Sequence, residues 1–560
     1  MTRTATRSTR STRTRLFRCL VPLLAVALAG ACAGKSPSDD GGGDDAGGSS
    51  GNELSADFPA AADGDISSFT VGIAAGQGRY DPLLATTSVI VVNSYDCLLT
   101  WNDKGELVPG LAESWEQTSD TTYVYHLREG LKFWDGSPVT VDDVIFSLKR
   151  NVDPAVASPY GVYYTAFQDV TATGPNEITV TLSRPDPYWR YASAIATTVI
   201  QQQFAVENAE NLGTPGVIPI GTGPYLPSEY SPATGAALVR NEHYWGEQPA
   251  VEELVFSVVP DPESRRLALE SGAIDATWDV PLEQARLWDQ IPNVRIGYGP
   301  GGNTKIFSFD VTAPPFDDVH LRRAIAYAID REGIANSVFN GHAEPARGVV
   351  PPEIFEIFFD EQQLADWYDS VPAYEFDMDK AKEELAQSAY PDGGLTIELP
   401  FQASQTVDQD ILATVQQNLR ELNIELTYQS MPDTQYFAEL YRHEDLGMQL
   451  FYFGPTYPDP FTYTFYMMAE SQAVPNAFNF ANFHSDASEE LMAIQETDPD
   501  LQARVEAGAE LVRMAADDAA YVGIAFLPFP VALNREYTID GDFSIWTFAN
   551  WASRIRIAES

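Results

Sequence analysis

Apolar positions run without interruption from Leu20 to Ala31 and then nearly vanish over residues 33–57, which are mostly Gly, Ser and Asp. From Phe69 the pattern changes to short blocks, with FTVGIA (Phe69 to Ala74) as a buried strand and TYVYHL, EITVTL, ALVRN and ELVFSVV as further strands starting at Thr122, Glu177, Ala237 and Glu253. The stretch SVIVVNSYDCLLTWN, Ser88 to Asn102, predicts an apolar helix or strand entering a turn. Farther on the period lengthens: from Asp318 to Phe339 the residues Leu321, Ile325, Ala328 and Ile329 share one helical face, and Asp318 stands where a cap belongs. A second helix, Asp408 to Leu422, leads into the strand IELTYQS, Ile424 to Ser430. Mixed helices and strands without an internal repeat predict an α/β protein.

The block from Gly110 to Arg150 has its own grammar. Alternating segments around Trp115 and Tyr123-Val124-Tyr125, with Asp120 in the polar turn between them, predict a hairpin. Phe133-Trp134-Asp135-Gly136 predicts a tight turn, and Thr140 then caps a helix with Asp142 and Asp143 in its first turn and Val144, Ile145 and Leu148 inward. On this reading the block is scaffold, and Trp115 and Trp134 are packing residues.

Six arginines and no acid precede the first apolar run, which is far shorter than the ~20 residues a membrane-spanning helix needs. That order predicts an export signal over residues 1–31. Ala29-Gly30-Ala31-Cys32 resembles the lipobox of bacterial lipoproteins, with one departure: Leu28 stands four rather than three residues before the cysteine. Cys32 is therefore the expected lipid attachment site, with plain cleavage nearby as the alternative, and residues 32–57 are a flexible tether. No arginine pair indicates the twin-arginine route.

The formal charge of −46 becomes −52 once the six arginines are removed, which argues against nucleic acid and anionic membrane surfaces as partners. A solvated surface explains most of this acidity; a cationic ligand is the other reading. Processing leaves only Cys32 and Cys97, so no intrachain disulfide is expected. Aromatic residues make up 12% of the chain, which suits a large core or a ring-lined cleft.

Enzymatic signatures are sparse. The six histidines contain no i+3 or i+4 pair. GQGRYD, Gly76 to Asp81, lacks the third glycine of a dinucleotide loop and reads as a turn. Paired carboxylates of a glycosidase are unsupported rather than excluded by so acidic a sequence. Neither metal nor cofactor is expected, and the chain is not expected to be an enzyme.

The order of residues in Leu111 to Trp115, Leu127-Arg128, Phe133, Asp135-Gly136 and Asp142-Asp143-Val144 closely resembles the signature of extracellular solute-binding protein family 5, the peptide, nickel and opine receptors of ABC importers. GTGPY from Gly221, RNEHYW from Arg240, ALESGAIDA from Ala268, the run Pro314 to Glu332 and AYPDGG from Ala389 resemble later family blocks in the same order. The resemblance implies a type II, two-lobed periplasmic-binding-protein-like clamp with an additional small domain on the first lobe. By analogy the first lobe takes residues 58–92, 221–303 and 523–560, the additional subdomain 93–220 and the second lobe 304–522, with chain crossings near 300–307 and 520–526. It further implies hinge closure around a small solute, delivery to permease subunits, a monomer, and a location on the outer face of the cytoplasmic membrane, held only by the lipid.

In peptide-binding members of the family an acid that pairs with the peptide amine follows a tryptophan and precedes an acidic residue and proline. The matching stretch is FYFGPTYPDP, Phe451 to Pro460: Phe453 takes the tryptophan place, Thr456 the place of the acid, and Asp459-Pro460 the end. Threonine forms no salt bridge, so free-amine peptides need another acid, for which Asp459 is one candidate. The resemblance adds Thr86, Thr87 and Ser88 as the facing wall, Tyr457 beside Thr456, and Tyr436 and Arg442 on the helix before the Phe451 strand. A peptide or peptide-like solute is the first expectation, an oligosaccharide or other neutral solute the second, and a secreted hydrolase a distant third.

Overall fold

The computed structural model describes residues 58–85, 89–102, 104–541 and 551–559. Cys32, the tether, and Thr86, Thr87 and Ser88 lie outside the described residues. Among the described residues no helix is long and apolar enough to cross a membrane.

A nine-stranded sheet runs through the molecule. Its central pair is antiparallel: the strand Val294–Phe309 against Tyr521–Asn534, with the ladder interrupted between Gly299 and Asn303. On one side of that interruption Val294 and Ala532 join a core with Trp288 and Ile274. On the other side Phe307, Val522 and Ile524 join a different core built on Leu321, Ile325, Ile411 and Val415. One sheet thus belongs to two lobes.

In the first lobe Phe69–Ile73 lies parallel to Glu253–Val258 and Ala276–Thr277, and alternate side chains Phe69, Val71 and Ile73 are buried with Leu254, Phe256 and Trp551. In the second lobe the parallel strands Leu395–Gln402 and Ile424–Met431 are joined by the helix Thr406–Arg420, whose Ile411, Leu412, Val415 and Leu419 cover them. Parallel neighbours require such a crossover.

The small domain is a four-stranded antiparallel sheet, Ala112–Ser119, Thr122–Leu127, Glu177–Leu182 and Phe167–Gly174, covered by the helix Val141–Arg150. Thr140 and Asp143 form a capping box: the Thr140 hydroxyl accepts from the Asp143 amide at 3.3 Å, and Asp143 accepts from the Thr140 amide at 2.9 Å. At the other end of this helix Arg150 donates to Asp81 at 2.7 Å with both side chains buried, which ties the small domain to the first lobe.

Two expectations are corrected. Asp318 to Phe339 is two helices, Val319–Tyr327 and Arg331–Ser337, because Asp330 caps the second by accepting from the Gly333 amide at 2.8 Å. A Cβ on Gly333 would lie 2.3 Å from that carboxylate, so the cap needs glycine there. The stretch after Ser88 is neither one helix nor one strand, but a short 3-10 turn at Val91–Asn93 followed by the strand Leu99–Trp101. Among the other expected strands, Phe69–Ile73, Thr122–Leu127, Glu177–Leu182 and Glu253–Val258 form with ends within a residue of the pattern.

Removing one member of a buried ion pair leaves an uncompensated charge, at a cost of about 3–5 kcal/mol. Arg150→Ala is expected to lose that much stability in denaturant unfolding. The double variant Asp81→Asn/Arg150→Met, which retains an acceptor for the Leu83 amide and fills the volume, is expected to lose less than the single one.

Candidate functional site

The segment Phe451 to Pro460 leaves the sheet at its edge. The strand Met448–Phe453 pairs with the central strand, Phe453 opposite Thr304, and the chain then turns through Gly454 to Pro460 into the helix Phe461–Met468. The turn is fixed from within. Thr456 donates its amide to the Thr462 hydroxyl at 3.2 Å, the two hydroxyls lie 3.1 Å apart, and the Phe461 amide donates to Asp459 at 3.0 Å.

The small domain sits on this turn. Tyr188, preceding the helix Trp189–Ile195, stacks on Phe461 with centroids 3.8 Å apart and planes 6° from parallel. Tyr191 stacks on Tyr457 at 4.8 Å and donates its hydroxyl to Asp459 at 2.9 Å. Arg190 donates to that hydroxyl at 2.6 Å, while Tyr188 donates to the Gln495 carbonyl at 2.9 Å. Burial pushes the Asp459 carboxyl up, and the Phe461 amide, Arg190, Tyr191 and Arg504 pull it back. The result is an aromatic and charged seam between the small domain and the second lobe.

The expected site residues are divided by this arrangement. Phe453, Thr456, Tyr457 and Asp459 come together along the turn, Phe453 half-buried against Tyr463 and Tyr466, and Tyr457 and Asp459 buried. Thr456 is half-buried and meets the Tyr163 hydroxyl. Tyr436 is buried in the same core and donates to the Leu450 carbonyl at 3.1 Å. Arg442 is exposed in the turn after its helix, which ends at Leu440, so its expected position on that helix is corrected.

Several residues escaped the sequence reading. Lys305, on the central strand, forms a buried ion pair with Asp408 in the first turn of the helix Thr406–Arg420, and lies over the Tyr452 ring at 5.9 Å. Tyr188, Arg190 and Tyr191 form the seam; the run YWRY was a visible signal, an arginine among rings beside an Asp-Pro turn. Beside the seam a cavity of about 700 Å³ opens between the small domain and the first lobe, with Tyr95, Asp96, Tyr160, Ile195, Tyr244 and Trp245 on its wall. Asp96 accepts from the Trp245 indole at 3.0 Å, and burial pushes its carboxyl up to about 6 against that bond and one with Thr222. Among the described residues no group of three or more His, Cys, Asp or Glu is arranged to hold a metal.

Residues 106–474 match the family model for the middle region of bacterial extracellular solute-binding proteins, family 5. The chain belongs to that family. Two curated relatives are 28% identical: Heme-binding protein A of Haemophilus influenzae over 51% of this chain, and the glutathione-binding protein GsiB of Escherichia coli over 67% of this chain and 71% of its own. The chain spans about half the length of Heme-binding protein A, 55%. Among solved structures, the periplasmic binding protein DppA of Helicobacter pylori in complex with the peptide STSA superimposes with a TM-score of 0.72 at 20% identity, covering 88% of this chain and 98% of that one. The family-5 fold is thus two-lobed with an additional small domain, as the strands and cores above require.

Tyr191→Phe keeps the stack on Tyr457 and removes a donor to a buried carboxylate. It is expected to cost about 1.5–3 kcal/mol in denaturant unfolding, against about 0.5–1.5 for Tyr188→Phe, whose lost acceptor is a neutral carbonyl. A second prediction concerns Asp96. Its folded pKa of about 6 lies above the ordinary 3.8, so the folded state holds an extra proton between those values and Asp96 lowers stability as pH rises through that window. Asp96→Asn, which keeps an acceptor for Trp245, is therefore expected to match the parent near pH 4 and to exceed it in thermal unfolding midpoint by pH 7.

Proposed function

We propose that this family-5 chain is the solute-binding component of an ABC importer, which closes its two lobes on a small solute and presents it to membrane permease subunits. The observation that supports this most is the construction of the molecule: two cores share one pair of antiparallel strands whose ladder breaks where they pass from one core to the other, a geometry suited to hinge closure. Lobe limits at residues 58–92, 221–303 and 523–560 against 304–522, with 93–220 as the added domain, are part of this proposal, as is a lipid at Cys32 holding the clamp outside the membrane. The relatives' names speak of heme, glutathione and a peptide, so the family resemblance favours a peptide or peptide-like solute without choosing one.

A second reading, a neutral or sugar-like solute, is favoured by one feature of the seam. Thr456 is uncharged, and the Asp459 carboxylate is already engaged by Tyr191 and the Phe461 amide. A ligand ammonium held at this turn finds no charge on Thr456 and an Asp459 already engaged, and unpaired buried charge is expensive. Hydrolysis remains the least supported reading, and release of product from any bound compound would establish it.

A thermal-shift screen of the mature protein separates these readings, using free-amine peptides, their N-acetylated forms and oligosaccharides. At about 100 times its dissociation constant a ligand adds roughly 2.7 kcal/mol, a plain upward shift of the midpoint. Stabilisation by peptides is the expected result; indifference to acetylation, or stabilisation by sugars alone, would transfer the assignment to neutral solutes. Thr456→Asp is expected to strengthen binding of free-amine peptides, and unchanged affinity would remove Thr456 from the site.

A further inference from the structure

The cavity between the small domain and the first lobe has on its wall a carboxylate, Asp96, that forms no ion pair among the described residues. Asp96 faces this space of about 700 Å³ and is only partly accessible. Its surroundings are the Trp245 indole N–H, the Thr222 hydroxyl and the rings of Tyr95, Tyr160 and Tyr244, and the influences on its carboxyl include burial and two hydrogen bonds but no positive charge. The wall also carries Glu247, Asp540, Arg554 and Arg556. Arg556 pairs with Glu247 at 3.2 Å and donates to the Ser553 carbonyl, and Arg554 donates to the Asp540 carbonyl at 2.7 Å.

This contrasts with the other buried acids of the molecule that meet cations. Asp81 has Arg150, Asp408 has Lys305, and Asp459 lies within the influence of Arg190 and Arg504. Aromatic faces around a carboxylate are the lining that stabilises a desolvated organic cation, through ring quadrupoles and a counter-charge together. The cavity also adjoins the seam: Tyr160 lies with its ring 6.2 Å from that of Tyr163, which meets Thr456, and Ile195 ends the helix whose Tyr191 meets Asp459.

We propose that this cavity receives an organic cation, an ammonium or guanidinium carried by the captured solute, with Asp96 as its counter-charge. The proposal rests on the receptor reading above and names the chemistry of its solute. It places the acid that Thr456 does not supply where the small domain meets the first lobe rather than on the turn of the second. A charged group entering the cavity forms the pair that Asp96 lacks, and an uncharged group of equal size leaves the carboxylate buried without one.

The test uses isothermal titration of the mature protein with two capped peptides, Ac-Ala-Lys-Ala-amide and Ac-Ala-Gln-Ala-amide, and with cadaverine, at pH 7.5. Wild type is expected to bind the lysine peptide at least tenfold more tightly than the glutamine peptide and to bind cadaverine. Asp96→Asn is expected to lose tenfold or more for the two cationic probes while leaving the glutamine peptide unchanged, and Asp96→Glu to retain part of the preference. Equal affinity of Asp96→Asn and wild type for the cationic probes, or equal affinity of wild type for the two peptides, overturns the proposal and leaves the receptor reading standing. Absence of heat with all three probes also overturns it. In that case binding of N-acetylated peptides or oligosaccharides in the thermal-shift screen still supports a receptor, and absence of binding there removes both. Circular dichroism of the variants at pH 7.5 checks that they are folded.

Discussion

Everything in this molecule is hung on one antiparallel pair of strands. Val294–Phe309 and Tyr521–Asn534 carry the chain from one core to the other and back, and their ladder breaks between Gly299 and Asn303. Packing explains why glycine stands in the break. A Cβ on Gly301 would meet the Leu527 carbonyl at 2.4 Å, and Gly302, at φ 65°, would press a Cβ to 2.7 Å from Pro455. Two backbones and the turn from Gly454 to Pro460 therefore approach more closely there than any side chain permits. The same strands are braced inside the second lobe, where Arg331 donates to the Gly523 carbonyl at 2.7 Å and Lys305 pairs with Asp408. Rigid attachments on one side of a break in hydrogen bonding, and a separate core on the other, concentrate any bending at the break.

The small domain contributes more than bulk. Arg150 fixes it to the first lobe through Asp81, and its helix Trp189–Ile195 carries Tyr191 to Asp459 across the seam. One domain thus has a buried ionic bond to one lobe and a stacked, hydrogen-bonded contact with the other. The two attachments differ in kind. A buried ion pair is expensive to break because the remaining charge is stranded, whereas stacked rings and tyrosine hydroxyls can exchange protein partners for water when surfaces part. The seam is the contact that the chemistry allows to open.

How much of this was legible follows from the range of each interaction. Strands with alternating apolar residues and the helix capped by Thr140 were readable because their signals lie within a few residues, and the block order was enough to name the family. The break at Asp330 was missed although it too is local: an Asp followed three residues later by Gly repeats the start signal inside a run whose apolar spacing continues through it. Arg442 was placed on a helix by the family resemblance, yet the helix ends at Leu440. The partners of Asp459 and Lys305 were not readable at all. Tyr191 is 268 positions from Asp459, and no periodicity within either segment encodes that meeting.

Charge sharpens the distinction between surface and site. A chain with a formal charge of −46 holds most of its acids in water, where at physiological salt their fields fade over about 8 Å. Such a surface attracts cations weakly and without selection. An acid within a walled cavity acts differently, because water and salt no longer weaken its pull and the lining decides which shapes reach it. Among the described residues the buried Arg150, Lys305 and Arg322 each pair with an acid, Arg331 donates to carbonyls, and none of these four pairs with Asp96. Selection among cations in so acidic a protein therefore depends less on how many carboxylates it carries than on how each is enclosed.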